Sequence, residues 1–235
     1  MKHKNIGLIV AVEISAVKEK YGEPISEEKI DAYNVMTYQV KDDVRLYVIH
    51  SGAGQIAAAA TTQFLISRLN CTLILNFGIV GGLTPEMSEI TTCIVSRIIH
   101  YDFDTSEVDD GYTVGRYSEN IDEYIPVTRE LVKQALVIEP SLKEVTVASG
   151  DKFVGKTEKK RELHELYKAD ICEMESAGIA LTCNRNNIPF LMVKCVSDGC
   201  GADPKEYFTN FQKSANLCFD ILDKIIKNII WQIAP

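Results

Sequence analysis

The seven cysteines include no C-x-x-C pair, which argues against a zinc ribbon and a dithiol redox centre. They are odd in number and sit mostly in apolar runs. That pattern predicts buried, reduced thiols in a cytoplasmic protein. Positive charge is also scarce: 25 Lys+Arg stand against 33 Asp+Glu, for a net charge of −8. A nucleic-acid partner needs a basic face, so none is expected, although a local anion site needs only a few donors. No apolar run approaches the roughly 20 residues that span a bilayer, so no membrane partner is expected. Residues 6–12 are apolar and follow Lys2 and Lys4, but they stop at Glu13 without a small-residue cleavage site, unlike a signal peptide. Linkers rich in Pro or Gly/Ser, internal repeats and low-complexity stretches are missing too. What remains is an ordinary folded composition, 46% hydrophobic and 25% charged over 235 residues. It predicts a single domain spanning 1–235.

Strand-like and helix-like stretches alternate along the chain. The aliphatic run 6–12 reads as a strand buried on both faces. Residues 35–40 and 44–50 flank the charged Lys41-Asp42-Asp43 and read as a hairpin. An alanine-rich helix runs from Gly54 to about Arg68, and a second buried strand covers 72–77. Further strands are expected at 90–99, 145–148 and 190–196, with helices at 156–167 and 177–184. The closing helix, 208–232, places Leu217, Ile221, Ile225 and Ile229 at helical spacing. This alternation implies an α/β domain with a central twisted mixed, mostly parallel sheet flanked by helices. Residues 101–124 form a long irregular segment rich in Asp, Glu, Gly and Tyr, and loops of that length are often functional.

In open α/β sheets ligands bind beyond the carboxyl ends of strands. Five segments fall at such ends: Val12-Glu13-Ile14-Ser15, Ser51-Gly52-Ala53-Gly54, Phe77-Gly78-Ile79-Val80-Gly81-Gly82, Ser149-Gly150-Asp151-Lys152-Phe153 and Val196-Ser197-Asp198-Gly199. A sixth, Glu173-Met174-Glu175-Ser176, enters a helix. Singly, each glycine reads as a turn; their joint order is more specific.

That order resembles the nucleoside phosphorylase/nucleosidase superfamily, and within it the methylthioadenosine/S-adenosylhomocysteine nucleosidases. The resemblance runs from Ile6 to the final helix and is carried by Asn76-Phe77-Gly78 with Gly81-Gly82, Ser149-Gly150-Asp151-x-Phe153, Glu173-Met174-Glu175 and Ser197-Asp198. It implies a homodimer or higher assembly acting on a small purine nucleoside without a cofactor. Asp198 would be the general acid at purine N7, oriented by Ser197. Glu175 would accept hydrogen bonds from both ribose hydroxyls and favour an oxocarbenium-like cation, with Met174 packed on the sugar. Phe153 would stack on the purine while the backbone of Val154 reads its edge. Gly81 and Ile79 would line the same site, Phe208 would cover the 5′ substituent, and Ala53 would line the 5′ pocket. Tyr112 would reach the neighbouring subunit's site. Glu173 is given no catalytic role.

Departures from the family cluster around the nucleophile. The family's water-activating glutamate falls on Ser15, which cannot act as a base alone, and Glu13 is the nearest carboxylate. Ile79 stands where the family has a serine, and Lys194 where it has an arginine. No arginine falls in the glycine segments, which speaks against a phosphate site. Hydrolysis of a purine N-glycosidic bond is therefore the leading expectation, with phosphorolysis and nucleoside binding without turnover as alternatives. No metal is expected. Asp102-x-Asp104-x-Ser106 begins like an EF-hand loop but has Glu107 where glycine is required. His100 lacks a second ligand at metal spacing. The basic run 152–161 reads as a solvated helix start.

Overall fold

The protein is described by a computed structural model over residues 4–108, 110–201 and 205–232. Its centre is a mixed sheet of ten strands. Strand β1 (Lys4–Val10) pairs in parallel with β4 (Val44–His50) on one side and β5 (Leu73–Gly82) on the other. The side-chain period of two sends Ile6, Leu8 and Val10 into one core and Ile9 into the opposite one. β4 continues through the antiparallel strands β3 (Tyr33–Lys41) and β2 (Ser26–Ile30), where Asp42-Asp43 makes the hairpin turn.

On the other side the sheet curls on itself. β5 pairs with β10 (Phe190–Asp198), β10 with β6 (Thr92–His100), β6 with β8 (Lys143–Ser149), and β8 with β9 (Ile171–Glu173). β9 returns to β5, which closes a ring. The short β7 (Tyr124–Ile125) adds to β6. Helices α1 (Ile14–Tyr21), α3 (Arg129–Ile138) and α6 (Lys205–Gln232) share one core with Phe77, whose ring lies 4.8 Å from Phe219. Helices α2 (Gln55–Leu69) and α5 (Ser176–Arg185) share the core on the other face. Helix α4 (Thr157–Tyr167) covers a third cluster through Leu163.

The first strand ends two residues before its expected limit, because Val12 and Glu13 leave it to enter α1. Glycines expected in a turn at 78–82 lie within β5 instead. Close approach explains them: a Cβ at Gly78 would sit 3.0 Å from Glu13 Oε1, and one at Gly82 would collide with the Met87 carbonyl. The buried stripe of α6 is Ala215, Cys218, Phe219, Leu222 and Ile225, while Leu217 and Ile221 sit on its flank. The side chain of Ile229 lies outside the described residues. All seven cysteines are free, and every one except Cys200 is buried. Among the described residues no helix is long and apolar enough to cross a membrane.

Candidate active site

The carboxyl ends of β1, β4, β5, β8 and β10 converge on one cavity. The β9–α5 junction closes its floor. Four acidic side chains from three chain segments line it: Glu13, Glu173 with Glu175, and Asp198. All four are buried. Isolated buried charges are costly, so partners decide what each carboxylate can do.

Two of them are paired with buried lysines. Lys160 Nζ lies 2.6 Å from Asp198 Oδ2, and Lys194 Nζ lies 3.1 Å from Glu173 Oε2. Ser197 Oγ donates to the other Asp198 oxygen at 2.8 Å. Glu173 also accepts the N–H groups of Glu175 and Ser176 at the start of α5. Burial works to raise the Glu173 pKa, but the Lys194 ammonium and these hydrogen bonds outweigh it and hold it below the usual value. Burial likewise opposes the charge on Lys194, and the surrounding carboxylates prevail and raise its pKa.

The other two carboxylates have no lysine and rely on backbone amides. Ile79 N–H donates to Glu13 Oε1 at 2.8 Å, and Val12 N–H donates to Oε2 at 3.1 Å. Burial raises the Glu13 pKa against these bonds. Gly54 N–H donates to Glu175 Oε1 at 3.0 Å. Burial, reinforced by the neighbouring Glu173 charge, pushes Glu175 up to about 7. The cavity therefore holds two lysine-paired carboxylates and two whose proton affinity is enhanced. A buried carboxylate with enhanced proton affinity suits proton transfer.

The Ser149-Gly150-Asp151 motif is structural in this arrangement. Asp151 Oδ1 accepts the first N–H of α2 at 2.7 Å, and Ser149 Oγ accepts from Gln55 Nε2 and Ala177 N–H. Together these bonds clamp α2 to α5 and fix Gly54 beneath Glu175. Gly150 has no room for a Cβ, which would fall 2.6 Å from the Tyr101 ring.

Of the residues singled out from the sequence, Glu13, Ile79, Gly81 and Ala53 line the cavity from the β1, β5 and β4 side. Phe153, Val154, Met174 and Glu175 line it from the segments after β8 and β9, and Asp198 lines it from the end of β10, paired with Gly81. Phe153 stands at the mouth, 59% exposed, edge-on to Tyr207 at 5.4 Å. Ser197 acts from behind Asp198. Ser15 faces away and donates to Gln212 Oε1 at 2.9 Å. Phe208 is 78% exposed, and its neighbour Tyr207 lines the cavity in its place. Tyr112 lies in a separate hollow, 4.7 Å from the Arg116 guanidinium.

Lys160 corrects the reading of 152–161 as a solvated helix start: it is 2% exposed, because α4 turns Lys160 and Leu163 inward. Among the described residues no arginine lines the cavity, and no cluster of three metal-ligating side chains occurs. His100 Nδ1 is 2.7 Å from the Tyr117 hydroxyl, and Asp102 is engaged by Lys152.

A ring-closed mixed sheet with an acidic cavity at its strand ends defines a class, and the comparisons agree with it. Residues 5–228 match the phosphorylase superfamily, and the chain belongs to that family. It is 28% identical to the 5′-methylthioadenosine/S-adenosylhomocysteine nucleosidase of Staphylococcus saprophyticus, over 95% of this chain and all of that one. It is 26% identical to the aminodeoxyfutalosine nucleosidase of Campylobacter jejuni, over 84% and 89% of the two chains. The solved 5′-methylthioadenosine/S-adenosylhomocysteine nucleosidase of Helicobacter pylori superposes with a TM-score of 0.87 at 25% identity, covering 96% of this chain and 99% of that one.

Proposed function

We propose that the protein hydrolyses the N-glycosidic bond of a 5′-substituted purine nucleoside of the methylthioadenosine or S-adenosylhomocysteine type and releases adenine. The observation that carries this reading is the convergence of Glu13, Glu175 and Asp198, all buried, on one cavity lined by Phe153 and Met174. Asp198, steadied by Ser197, delivers a proton to purine N7 while the base stacks on Phe153 beside Val154. Glu175 accepts the two ribose hydroxyls, and Met174 packs on the sugar. Negative charge at Glu175 then favours the cationic sugar as the C1′–N9 bond lengthens.

Glu13 takes the proton of the attacking water. Its raised proton affinity and place in the cavity wall support this role, whereas Ser15 Oγ is committed to Gln212 outside the cavity. The lack of arginine in the cavity wall supports water over phosphate as the nucleophile. Ala53 and Gly81 leave room, and Tyr207 supplies the aromatic cover near the 5′ end that the sequence assigned to Phe208. No cofactor is needed. The family resemblance further supports a cytoplasmic homodimer in which Tyr112 approaches the partner's site; light scattering at twice 26.2 kDa tests the dimer.

The purified protein should release adenine from methylthioadenosine and S-adenosylhomocysteine in phosphate-free buffer. Saturable binding with no release, with or without phosphate, would leave a nucleoside-binding protein and end the enzymatic reading.

A further inference from the structure

A carboxylate locked in an ion pair has no proton of its own to give. Asp198 is so locked: Lys160 Nζ is 2.6 Å from Oδ2, and both groups are buried. The ammonium places its remaining hydrogens on the Asp198 carbonyl at 3.2 Å and the Gly199 carbonyl at 2.8 Å. Its three donors thus meet three acceptors, all at the end of β10. The other side-chain donor on the carboxylate is the Ser197 hydroxyl, which is far too weak an acid to supply a proton. Gly81 is cut away beneath the pair. A Cβ there would lie 3.5 Å from Asp198 Oδ2 and 3.6 Å from Lys160 Cε. A charged helix that turns one lysine inward against the strand end breaks its own local pattern, and such breaks mark functional or strained positions.

We infer that Lys160 is the positioning residue and proton source for Asp198, so that the acid acting on the purine is the Lys160–Asp198 pair. The inference rests on the nucleosidase reading. As the C1′–N9 bond breaks, its electron pair goes to the purine. Lys160 Nζ passes its proton to Asp198, which hands it on to N7; Asp198 ends as the carboxylate it began as, and Lys160 as a neutral amine. The base departs neutral, and Lys160 is reprotonated from water once the site opens. Other titratable groups face the pair from neighbouring elements. The Cys172 thiol of β9 and the Tyr207 hydroxyl of α6 are both pushed up to about 12 by burial, and Glu175 across the cavity stands near 7. Glu175 titrates in the working range in every variant, so ratios to wild type cancel its contribution.

The test compares Lys160→Met and Lys160→Arg with wild type for adenine release, after thermal melts have established which variants fold. Met removes the proton source, and Arg keeps the charge but does not release its proton. Both should lose kcat by about 10²-fold or more with KM little changed, the scale of general acid catalysis. The Lys160→Met to wild-type ratio should fall a further tenfold or so between about pH 6 and pH 8, because the carboxyl must then draw its proton from solvent. Wild-type kcat in Lys160→Arg would reduce Lys160 to a structural charge and overturn the inference. So would a Lys160→Met ratio independent of pH. If Lys160→Met does not fold, the Arg variant alone decides. Full activity in Asp198→Asn, or no cleavage by wild type, would instead bring down the nucleosidase reading itself.

Discussion

Replacing Glu175 by glutamine isolates the electrostatic strain stored in the cavity. The side chain is 7% exposed, and its pKa rises from 4.5 to about 7 under burial and the adjacent Glu173 charge. The unfolded chain ionises this group near 4.5, so between that pH and about 7 the folded state binds more protons. Stability contributed by Glu175 is therefore greatest below pH 4.5, declines as pH rises to about 7, and is level above it. A shift of this size corresponds to about 3 kcal/mol, at roughly 1.4 kcal/mol per pH unit. Urea unfolding of wild type and Glu175→Gln at intervals from pH 5 to 8 reads it directly. The variant should gain on wild type by up to that amount as pH rises. Since a ribose diol is held by the ionised form, nucleoside binding at pH 6 should release a proton in wild type but not in the variant. A stability difference constant across the range, or one that moves toward wild type with rising pH, refutes the reasoning.

Glu13→Gln should lower kcat by about 10²–10⁴-fold, as expected for loss of a general base. Ser15→Ala should stay within about threefold of wild type; steady-state rates of adenine release distinguish the two. Phe219→Ala opens a cavity against Phe77 in the core beneath α6 and should destabilise the protein by about 3–5 kcal/mol in urea melts. Gly82→Ala forces a methyl into the Met87 carbonyl and should destabilise by about 1–3 kcal/mol, read as a lowered Tm.

The aliphatic strands were legible because buried strands are written as continuous apolar runs, as in 6–12 and 190–196. Strand β2 was not, since Glu27-Glu28-Lys29 give an exposed edge strand a polar face. Helix α3 was missed although Leu131, Val132 and Ala135 mark its buried face. The glycines of β5 mimic a turn, because spacing alone does not separate a bend from a strand whose neighbours come close. The carboxylates converging on the cavity could be named from motif order. Lys194 could be named as a site position, but neither its pairing with Glu173 nor the Lys160–Asp198 pair could, because ion pairing across the fold leaves no periodic trace. One signal was present: Lys160 shares the α4 face of Leu163 and Tyr167, the apolar side of an otherwise charged helix. The aromatic at the mouth was misplaced by one residue because the helical phase of 205–211 decides between Tyr207 and Phe208.

In the proposed reaction, water activated at Glu13 attacks the sugar while Asp198 assists the leaving purine. Turnover of methylthioadenosine in ¹⁸O-labelled water containing phosphate, with mass spectrometry of the sugar product, tests it most directly. Free adenine and a reducing sugar carrying one ¹⁸O at C1′ are the expected products, with Asp198→Asn inactive. An unlabelled sugar 1-phosphate, or no sugar product at all, would contradict it.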